Sequence, residues 1–332
     1  MEIVKAEFLW TRVCPLKCEY CSMADGRKNT LPLARWWNGI DQLKKLGCGF
    51  IAFYGAEPLA DFDNLPEVVG YAEKRGVHTT VITSGVVSRF YEKLEALHAA
   101  GAKSLSMSYD IIDQGSHGAE KTQKALKGLH YFQLLGDIRD VAVITTLTKA
   151  NYPLLPQSIR EMSKRGIWSL FDFIHWDRGQ PGSKCRNYDG IDDLKFSEDD
   201  LFPLVIVLTE AMKLKEMGFL CHTSQPFINR ITANKCEYIR KYNWNCADEP
   251  GFPAWVTVDC DGTVYPCDDF QMEYRGREPI MVDQIYDRWE EFGAYWQPIV
   301  KARCPGCMWN THLDAHFIKN GVLPFSDYVH TP

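Results

Sequence analysis

The chain has 332 residues, which is enough for one large domain or for one domain with a smaller appendage. Its composition, 45% hydrophobic and 24% charged, is that of an ordinary globular protein, and its formal net charge is −6. This acidic balance argues against a nucleic-acid partner, because nucleic-acid-binding proteins usually present a basic face. No apolar run is long enough to span a membrane, and MEIVKAEFLW at the start lacks the design of a signal peptide, so we predict a cytoplasmic protein with no membrane partner.

From about residue 3 to residue 220, short β-rich runs alternate with helical patterns. The predicted strands are 2–10, 49–55, 78–84, 104–110, 141–148 and 169–176. The predicted helices lie near 33–46, 63–75, 88–100, 117–135, 153–165 and 197–217. Several of the strands are nearly continuous apolar runs, which is typical of parallel strands covered by helices. Six βα units in this order predict an α/β fold, a partial (β/α)6 barrel that occupies residues 1–225.

After about residue 220 the alternation stops, and Cys, Pro, Gly and Trp accumulate. In AWVTVDCDGTVYPC, residues 254–267, the pair Asp261-Gly262 predicts a hairpin turn between two β-rich arms. We predict that residues 226–332 form a small cysteine-rich domain, a β-hairpin plus a helix with a C-terminal tail. A bound metal would supply the stability that so small a core lacks.

The chain has 12 cysteines, and their uneven distribution predicts metal sites. Disulfides are disfavoured in a reducing compartment, where clustered thiols more often bind metal. One cluster lies within residues 14–21 and a second within residues 236–307. The remaining cysteines are isolated and are predicted to be small buried residues: Cys48, Cys185 and Cys221.

The first cluster is CPLKCEYC, residues 14–21, directly after the first predicted strand, where barrel active sites assemble. Its thiolates, Cys14, Cys18 and Cys21, can ligate three irons of a 4Fe–4S cluster and leave the fourth iron to a small molecule. A three-thiolate zinc site completed by a histidine is the alternative. The spacing CxxxCxxC, with an aromatic residue before the last cysteine, resembles the signature of the radical S-adenosylmethionine (SAM) enzymes.

This resemblance implies that the amino and carboxylate groups of SAM bind the open iron. Reduction of the cluster would then cleave SAM to methionine and a 5′-deoxyadenosyl radical. Other segments resemble the SAM-binding motifs of the family: Gly55-Ala56-Glu57-Pro58 resembles GGEP with Ala56 in place of the second glycine, and Ser108-Tyr109-Asp110 resembles a ribose-binding Ser-x-Asp. The resemblance covers roughly residues 5–220, and Glu57 or the backbone beside it would receive the SAM amino group. The cofactor-binding residues it implies are Tyr20 (beside the adenine), Gly55, Ala56, Glu57, Ser84, Ser108 and Asp110.

The second cluster predicts an auxiliary metal site. Its expected ligands are Cys246, Cys267, Cys304 and Cys307, and four thiolates suit a fully ligated 4Fe–4S cluster or a structural zinc ion. The spacing from Cys246 through Gly262 to Cys267, followed by a CxxC pair, resembles the first half of the SPASM motif of radical SAM enzymes. No cysteine follows that pair, so the pattern resembles the shortened twitch form with one auxiliary 4Fe–4S cluster. Whether Cys236 or Cys260 replaces Cys246 as a ligand is left open.

A radical SAM enzyme takes a hydrogen atom from its substrate, while the protein positions the C–H bond and excludes water. We predict a small-molecule oxidoreductase, a dehydrogenase in which the auxiliary cluster accepts the substrate electron. One alternative is a maturase that forms crosslinks or thioethers in a ribosomal peptide. Another is a redox-neutral epimerase or isomerase with a cysteine hydrogen donor. A non-enzymatic iron–sulfur or zinc scaffold is the alternative from a different class, and it would not cleave SAM.

The catalytic candidates come from two places. His175, Asp177 and Arg178 follow the sixth predicted strand and include the base expected for a hydroxyl proton, although each is also typical of a paired surface residue. Cys260 is a candidate hydrogen donor, with a packed small residue as its structural alternative. The expected partners are a small-molecule or peptide substrate and an electron donor such as flavodoxin or ferredoxin.

Overall fold

The fold is a mostly parallel sheet whose strands are connected by helices. A computed structural model describes residues 2–18, 21, 23–110, 118–174, 192–233, 244–270, 274, 276–304 and 309–327. Strands β1 to β6 are Lys5–Thr11, Phe50–Gly55, His78–Thr83, Ser104–Ser108, Asp140–Leu147 and Trp168–Phe173. Helices α1 to α6 are Leu33–Lys45, Leu65–Lys74, Phe90–Ala100, Gly118–Leu134, Leu155–Ser163 and Leu201–Glu216. The six predicted βα units are therefore all present.

The strand order of the sheet is β6-β5-β4-β3-β2-β1-β7-β8. Strands β1 to β5 each pair in parallel with the next strand in the chain. Among the described strands, β6 and β8 form the two ends of the sheet, so the barrel is open. This confirms the predicted α/β class and partial barrel. None of the helices in the described ranges has the length and apolar character needed to cross a bilayer.

The C-terminal region adds strands to this sheet and helices beside it. Strand β7, Trp255–Val258, pairs in parallel with β1 and antiparallel with β8, Val264–Tyr265. The hairpin turn lies at Asp261-Gly262 as predicted, where Gly262 has a positive φ of 87°. Helices α7, α8 and α9 are Gln225–Ala233, Trp289–Arg303 and Asn310–Lys319. The boundary between residues 225 and 226 stays a prediction.

The two faces of the sheet have different surroundings. On the face covered by helices the side chains of the central strands are fully buried: Phe53, Val81, Met107, Val143 and Phe171. On the opposite, inner face the side chains near the carboxyl ends of the strands are half-buried: Tyr54, Ile82, Ser108, Ile144 and Leu170. Closed barrels fill their interior with packed side chains. Here the named inner-face side chains are only half-buried in the described structure.

Helix α9 packs against the sheet through buried polar groups. The main-chain N–H of Asn310 donates to Asp172 Oδ1 on β6 at 2.6 Å. His312 Nε2 lies 3.1 Å from Glu7 Oε2 on β1, and the imidazole stacks on Trp255 of β7 with 4.2 Å between ring centroids. One helix therefore contacts both the first strand and the last βα strand of the sheet.

Candidate functional site

The loop that carries the first three cysteines follows β1 and is anchored on both sides. The Arg12 N–H donates to the Arg27 carbonyl at 2.8 Å, and the Gly26 N–H donates to the Arg12 carbonyl at 3.0 Å. The buried Arg12 side chain donates from Nε to Asp259 Oδ1 at 3.0 Å, while Arg27 lies 3.1 Å from the other carboxylate oxygen. Asp259 follows β7, so this ion-pair cluster fixes the cysteine loop to the C-terminal hairpin. Sequence reasoning missed it, because the partners are about 250 residues apart.

Cys14, Cys18 and Cys21 lie together on this loop. The Cys21 N–H donates to the Cys18 carbonyl at 3.1 Å, and the Leu16 N–H donates to Cys14 Sγ at 3.4 Å. Cys21 and Cys18 lie near enough to Cys14 for their charges to raise the pKa of its thiol. The structure therefore brings the three predicted ligands into one neighbourhood.

This group of thiols fits an iron–sulfur cluster better than a single ion. Burial raises the pKa of the Cys14 thiol to about 11, so without a metal it stays protonated at neutral pH, whereas bound iron would stabilise the thiolate. Within the described ranges, no three or more His, Cys, Asp or Glu side chains are grouped closely enough to hold one metal ion. In a 4Fe–4S cluster each thiolate binds a different iron. The ligand sulfur atoms therefore lie around the cluster and are farther apart than the ligands of a single metal ion.

The end of β2 is held directly against the end of β1. Gly55 has a φ of 138°, and a Cβ at this position would lie 2.4 Å from the Thr11 carbonyl oxygen. The Ala56 N–H donates to the same oxygen at 3.0 Å. Only glycine fits such an approach, which explains the residue type at position 55. Gly55 and Ala56 are both half-buried beside the cysteine loop, where a cofactor could reach their backbone.

The carboxylate of Glu57 forms hydrogen bonds within the protein. Its side chain has no exposed surface, and one carboxylate oxygen accepts hydrogen bonds from the Leu59 N–H and the Thr83 hydroxyl. The other oxygen accepts from the Ser84 N–H at 2.9 Å and from the Ser84 hydroxyl. With four donors already bound, this carboxylate is a brace between β2 and the end of β3. The expected SAM contacts of the Glu57 side chain and of the Ser84 hydroxyl stay predictions beside this supporting role.

The end of β4 lies beside a buried lysine. Asp110 is buried and accepts a hydrogen bond from Lys121 Nζ at 2.6 Å, while Ser108 is half-buried on the inner face. Lys121 also acts electrostatically on the thiol of Cys21, which is exposed. Lys121 therefore links the predicted ribose motif to the cysteine loop. Lys121 could have been noticed in the sequence because it lies in the first turn of α4. A positive side chain there interacts unfavourably with the helix dipole unless a carboxylate compensates its charge.

Several predicted site residues lie outside the described residues. They are Tyr20, His175, Asp177, Arg178 and Cys307, together with the isolated Cys185 and the alternative ligand Cys236. Their assigned roles stay predictions.

Of the described auxiliary cysteines, Cys246 and Cys304 lie on segments that contact each other. Cys246 is buried at the start of a one-turn 3₁₀ helix, and Cys304 directly follows α8. The Asn245 side chain donates to the Val300 carbonyl at 3.3 Å, which holds the Cys246 turn against the end of α8. Cys267 follows β8 and is half-buried. The assignment of these three residues to an auxiliary cluster stays a prediction.

Cys260 is 1% exposed in the hairpin turn. Burial, assisted by the Asp259 charge, raises the pKa of its thiol to about 12. Its carbonyl accepts the Thr30 N–H at 3.2 Å, which packs the turn against the chain that follows the cysteine loop. These contacts support the packed-residue interpretation of Cys260 over that of a hydrogen donor.

Comparison with known proteins identifies this arrangement. Residues 8–164 match the radical SAM superfamily. The chain carries a radical SAM domain. Domains of this superfamily use a 4Fe–4S cluster and SAM, which confirms those two predicted cofactors. The match ends before the C-terminal cysteines, so the SPASM or twitch assignment and the second cluster remain predictions.

Sequence relatives of the radical SAM domain include two PqqA peptide cyclases. That of Gluconobacter oxydans (strain 621H) is 35% identical over 114 residues, which are 33% of this chain and 31% of the relative. That of Xanthomonas oryzae pv. oryzae (strain MAFF 311018) is 33% identical over 106 residues, 31% of this chain and 28% of the relative. The chain thus spans about a third of the length of these relatives.

Two solved structures share the fold of this chain over most of its length. Streptococcus suis SuiB bound to S-adenosylmethionine has a TM-score of 0.66 and 17% identity, over 89% of this chain and 67% of that one. Native anSMEcpe with bound AdoMet and the Cp18Cys peptide has a TM-score of 0.60 and 13% identity, over 98% of this chain and 96% of that one. At these identities the likeness concerns the fold alone.

Proposed function

We propose that this protein is a radical SAM enzyme that modifies a peptide. The radical SAM chemistry in this proposal is carried by the superfamily match over residues 8–164. This match spans the cysteine loop and both predicted SAM-binding segments. The grouping of Cys14, Cys18 and Cys21 supports it. A 4Fe–4S cluster held by these thiolates would supply the electron for reductive cleavage of SAM.

The peptide substrate is supported by the relatives. Both sequence relatives described above are named PqqA peptide cyclase. SuiB has been solved bound to the precursor peptide SuiA, and anSMEcpe with the Cp18Cys peptide. These names favour the maturase alternative over a small-molecule oxidoreductase, which was our first expectation from the sequence.

The inner face of the sheet is suited to receive such a substrate. The half-buried inner-face residues from Tyr54 on β2 to Leu170 on β6 are uncharged, whereas the acidic inner-face residues Glu7 and Asp172 are buried against α9. They share the strand ends with Gly55 and Ala56, beside the cysteine loop. A concave, mainly apolar surface with a few hydroxyl groups can orient a neutral side chain and exclude water from a reactive intermediate.

The test uses the anaerobically reconstituted protein, SAM, and a synthetic peptide encoded next to its gene. We expect 5′-deoxyadenosine formation to depend on the peptide, and the peptide to lose two hydrogens for each crosslink formed. The triple variant C14A/C18A/C21A should form neither product. Stimulation by a sugar or cyclitol alcohol, with the peptide inert, would instead favour the small-molecule oxidoreductase.

A further inference from the structure

A cavity of about 470 Å³ opens beside Cys14, on the cysteine loop. Its wall is formed by residues 13–15 of the loop, by Ala60, by residues 86–88 after β3, and by Lys93 and Lys124. The inner-face residues from Tyr54 to Leu170 are not among the residues of this wall. The cavity wall and the proposed substrate surface are therefore formed by different residues.

The wall of this cavity is positively charged, although the chain has a net charge of −6. Lys93 Nζ donates to the Leu59 carbonyl at 2.6 Å, and Lys124 Nζ lies 5.8 Å from the centroid of the Phe90 ring. Neither ammonium forms an ion pair with a carboxylate in the described structure. Asp63 and the buried Glu57 act on Lys93 electrostatically, but neither belongs to the described wall.

The two lysines come from neighbouring helices, α3 and α4, and are both half-buried. Lys127, one turn further along α4, is exposed and extends the positive charge toward solvent. Carbonyl and aromatic contacts hold the Lys93 and Lys124 side chains in place while leaving their charges available to a partner. The patch is therefore a preformed site for a negatively charged surface.

We propose that this cavity and its lysines are the docking surface for a small acidic electron-carrier protein. The proposal rests on the proposed function, because it requires a reducible cluster at Cys14, Cys18 and Cys21. Each reductive cleavage of SAM needs one electron at this loop, the first of which must come from outside, and Cys14 is the predicted ligand that lies in the cavity wall. A carrier seated here would have a short path to the cluster, and opposite charges would steer and orient it.

The experiment compares two reductants with the double variant K93E/K124E. The protein carrier is a flavodoxin reduced by its NADPH-dependent reductase, and the small reductant is dithionite, which needs no docking surface. We expect the KM for flavodoxin in 5′-deoxyadenosine formation to rise at least about tenfold in the variant, while the dithionite-driven rate is unchanged. Added salt should slow the flavodoxin-driven reaction of the unaltered protein more than that of the variant.

Two further variants keep the test decisive. K124E alone preserves the bond from Lys93 to Leu59, so it should fold normally and still raise the KM for flavodoxin. K74E/K213E makes the same charge change on exposed lysines of α2 and α6 and should leave this KM unchanged. An unaltered flavodoxin KM in K124E and K93E/K124E, or an equal loss with both reductants, would overturn the docking surface. No SAM cleavage by the unaltered protein with dithionite and the peptide present would overturn the proposed function itself.

Discussion

At the scale of single residues, the carboxylate of Glu57 accepts four hydrogen bonds without exposed surface and joins the end of β2 to that of β3. Removing it would leave buried N–H and hydroxyl donors without an acceptor, and each such group costs about 1–3 kcal/mol. We predict that Glu57→Ala lowers the free energy of unfolding by about 3 kcal/mol. Anaerobic urea unfolding of the intact protein measures this loss.

Glu67→Ala is the matched control for this prediction. Glu67 is exposed in the first turn of α2, where its favourable interaction with the helix dipole is worth less than about 1 kcal/mol. A loss for Glu57→Ala no larger than that for Glu67→Ala would show that the carboxylate is not a structural brace. A normal free energy of unfolding combined with weaker SAM binding would instead favour the expected contact between the Glu57 side chain and SAM.

The types of the site residues could be predicted from the sequence, but not all of their tasks could. The spacing of Cys14, Cys18 and Cys21 is local, so it already determined that three thiols share one loop. The partners of Glu57 lie on β3, and the partner of Arg12 is Asp259, far along the chain. No local pattern encodes such pairings, since they depend on how strands pack side by side.

At the scale of elements, all six strands of the barrel were predictable because each is a short β-rich run with a helical pattern after it. The hairpin turn at Asp261-Gly262 was predictable for the same local reason. The pairing of β7 with β1 was not, because two parallel strands have no turn between them that could fix their register. Nor could the sequence show that α9 brings His312 and the Asn310 N–H to buried carboxylates.

The docking of α9 makes the stability of the fold depend on pH. Burial raises the pKa of Asp172 to about 8, against the lowering effect of the Asn310 N–H. An aspartate of the unfolded chain titrates near pH 4. Between about pH 4 and pH 8 the folded state therefore holds a proton that the unfolded state has released. This contribution to stability is complete below about pH 4 and is lost as the pH rises through about 8.

The free energy of unfolding of the unaltered protein should fall as the pH rises from about 5.5 to 7.5. We predict that Asp172→Asn makes this fall smaller by roughly 1 kcal/mol per pH unit. The asparagine keeps an oxygen that can accept the Asn310 N–H, so the packing of α9 is preserved. Urea unfolding at the two pH values measures the slope, and Asp199→Asn, at an exposed position, should leave it unchanged. Equal slopes for the unaltered protein and Asp172→Asn would mean that Asp172 is ionised in the folded state. Asp314, whose pKa burial raises to about 7, adds a dependence of the same sign in both proteins.

At the scale of the whole molecule, the radical SAM core and the C-terminal region share a sheet and several polar anchors. β7 extends the sheet beside β1, the Arg12–Asp259 pair fixes the cysteine loop to the hairpin, and α9 contacts both β1 and β6. A local change in the C-terminal region can therefore reach the strand that precedes the first cysteine loop. Tests of the two cysteine groups must separate loss of a ligand from loss of the fold.

Iron content makes that separation, because it counts clusters directly. If both cysteine groups bind 4Fe–4S clusters, the anaerobically reconstituted chain should hold about eight irons, and C14A/C18A/C21A about four.

Cys48→Ala is the control for disturbed packing: this isolated thiol is 3% exposed and donates to the Phe50 carbonyl at 3.2 Å, so its loss should leave about eight irons. Cys304→Ala should lower the iron content while leaving SAM-dependent changes in the spectrum of the first cluster intact, because Cys304 is not a predicted ligand of that cluster. An intact chain with one zinc and about four irons would contradict the auxiliary iron–sulfur cluster and leave the SAM-binding cluster standing, since the two depend on different thiols.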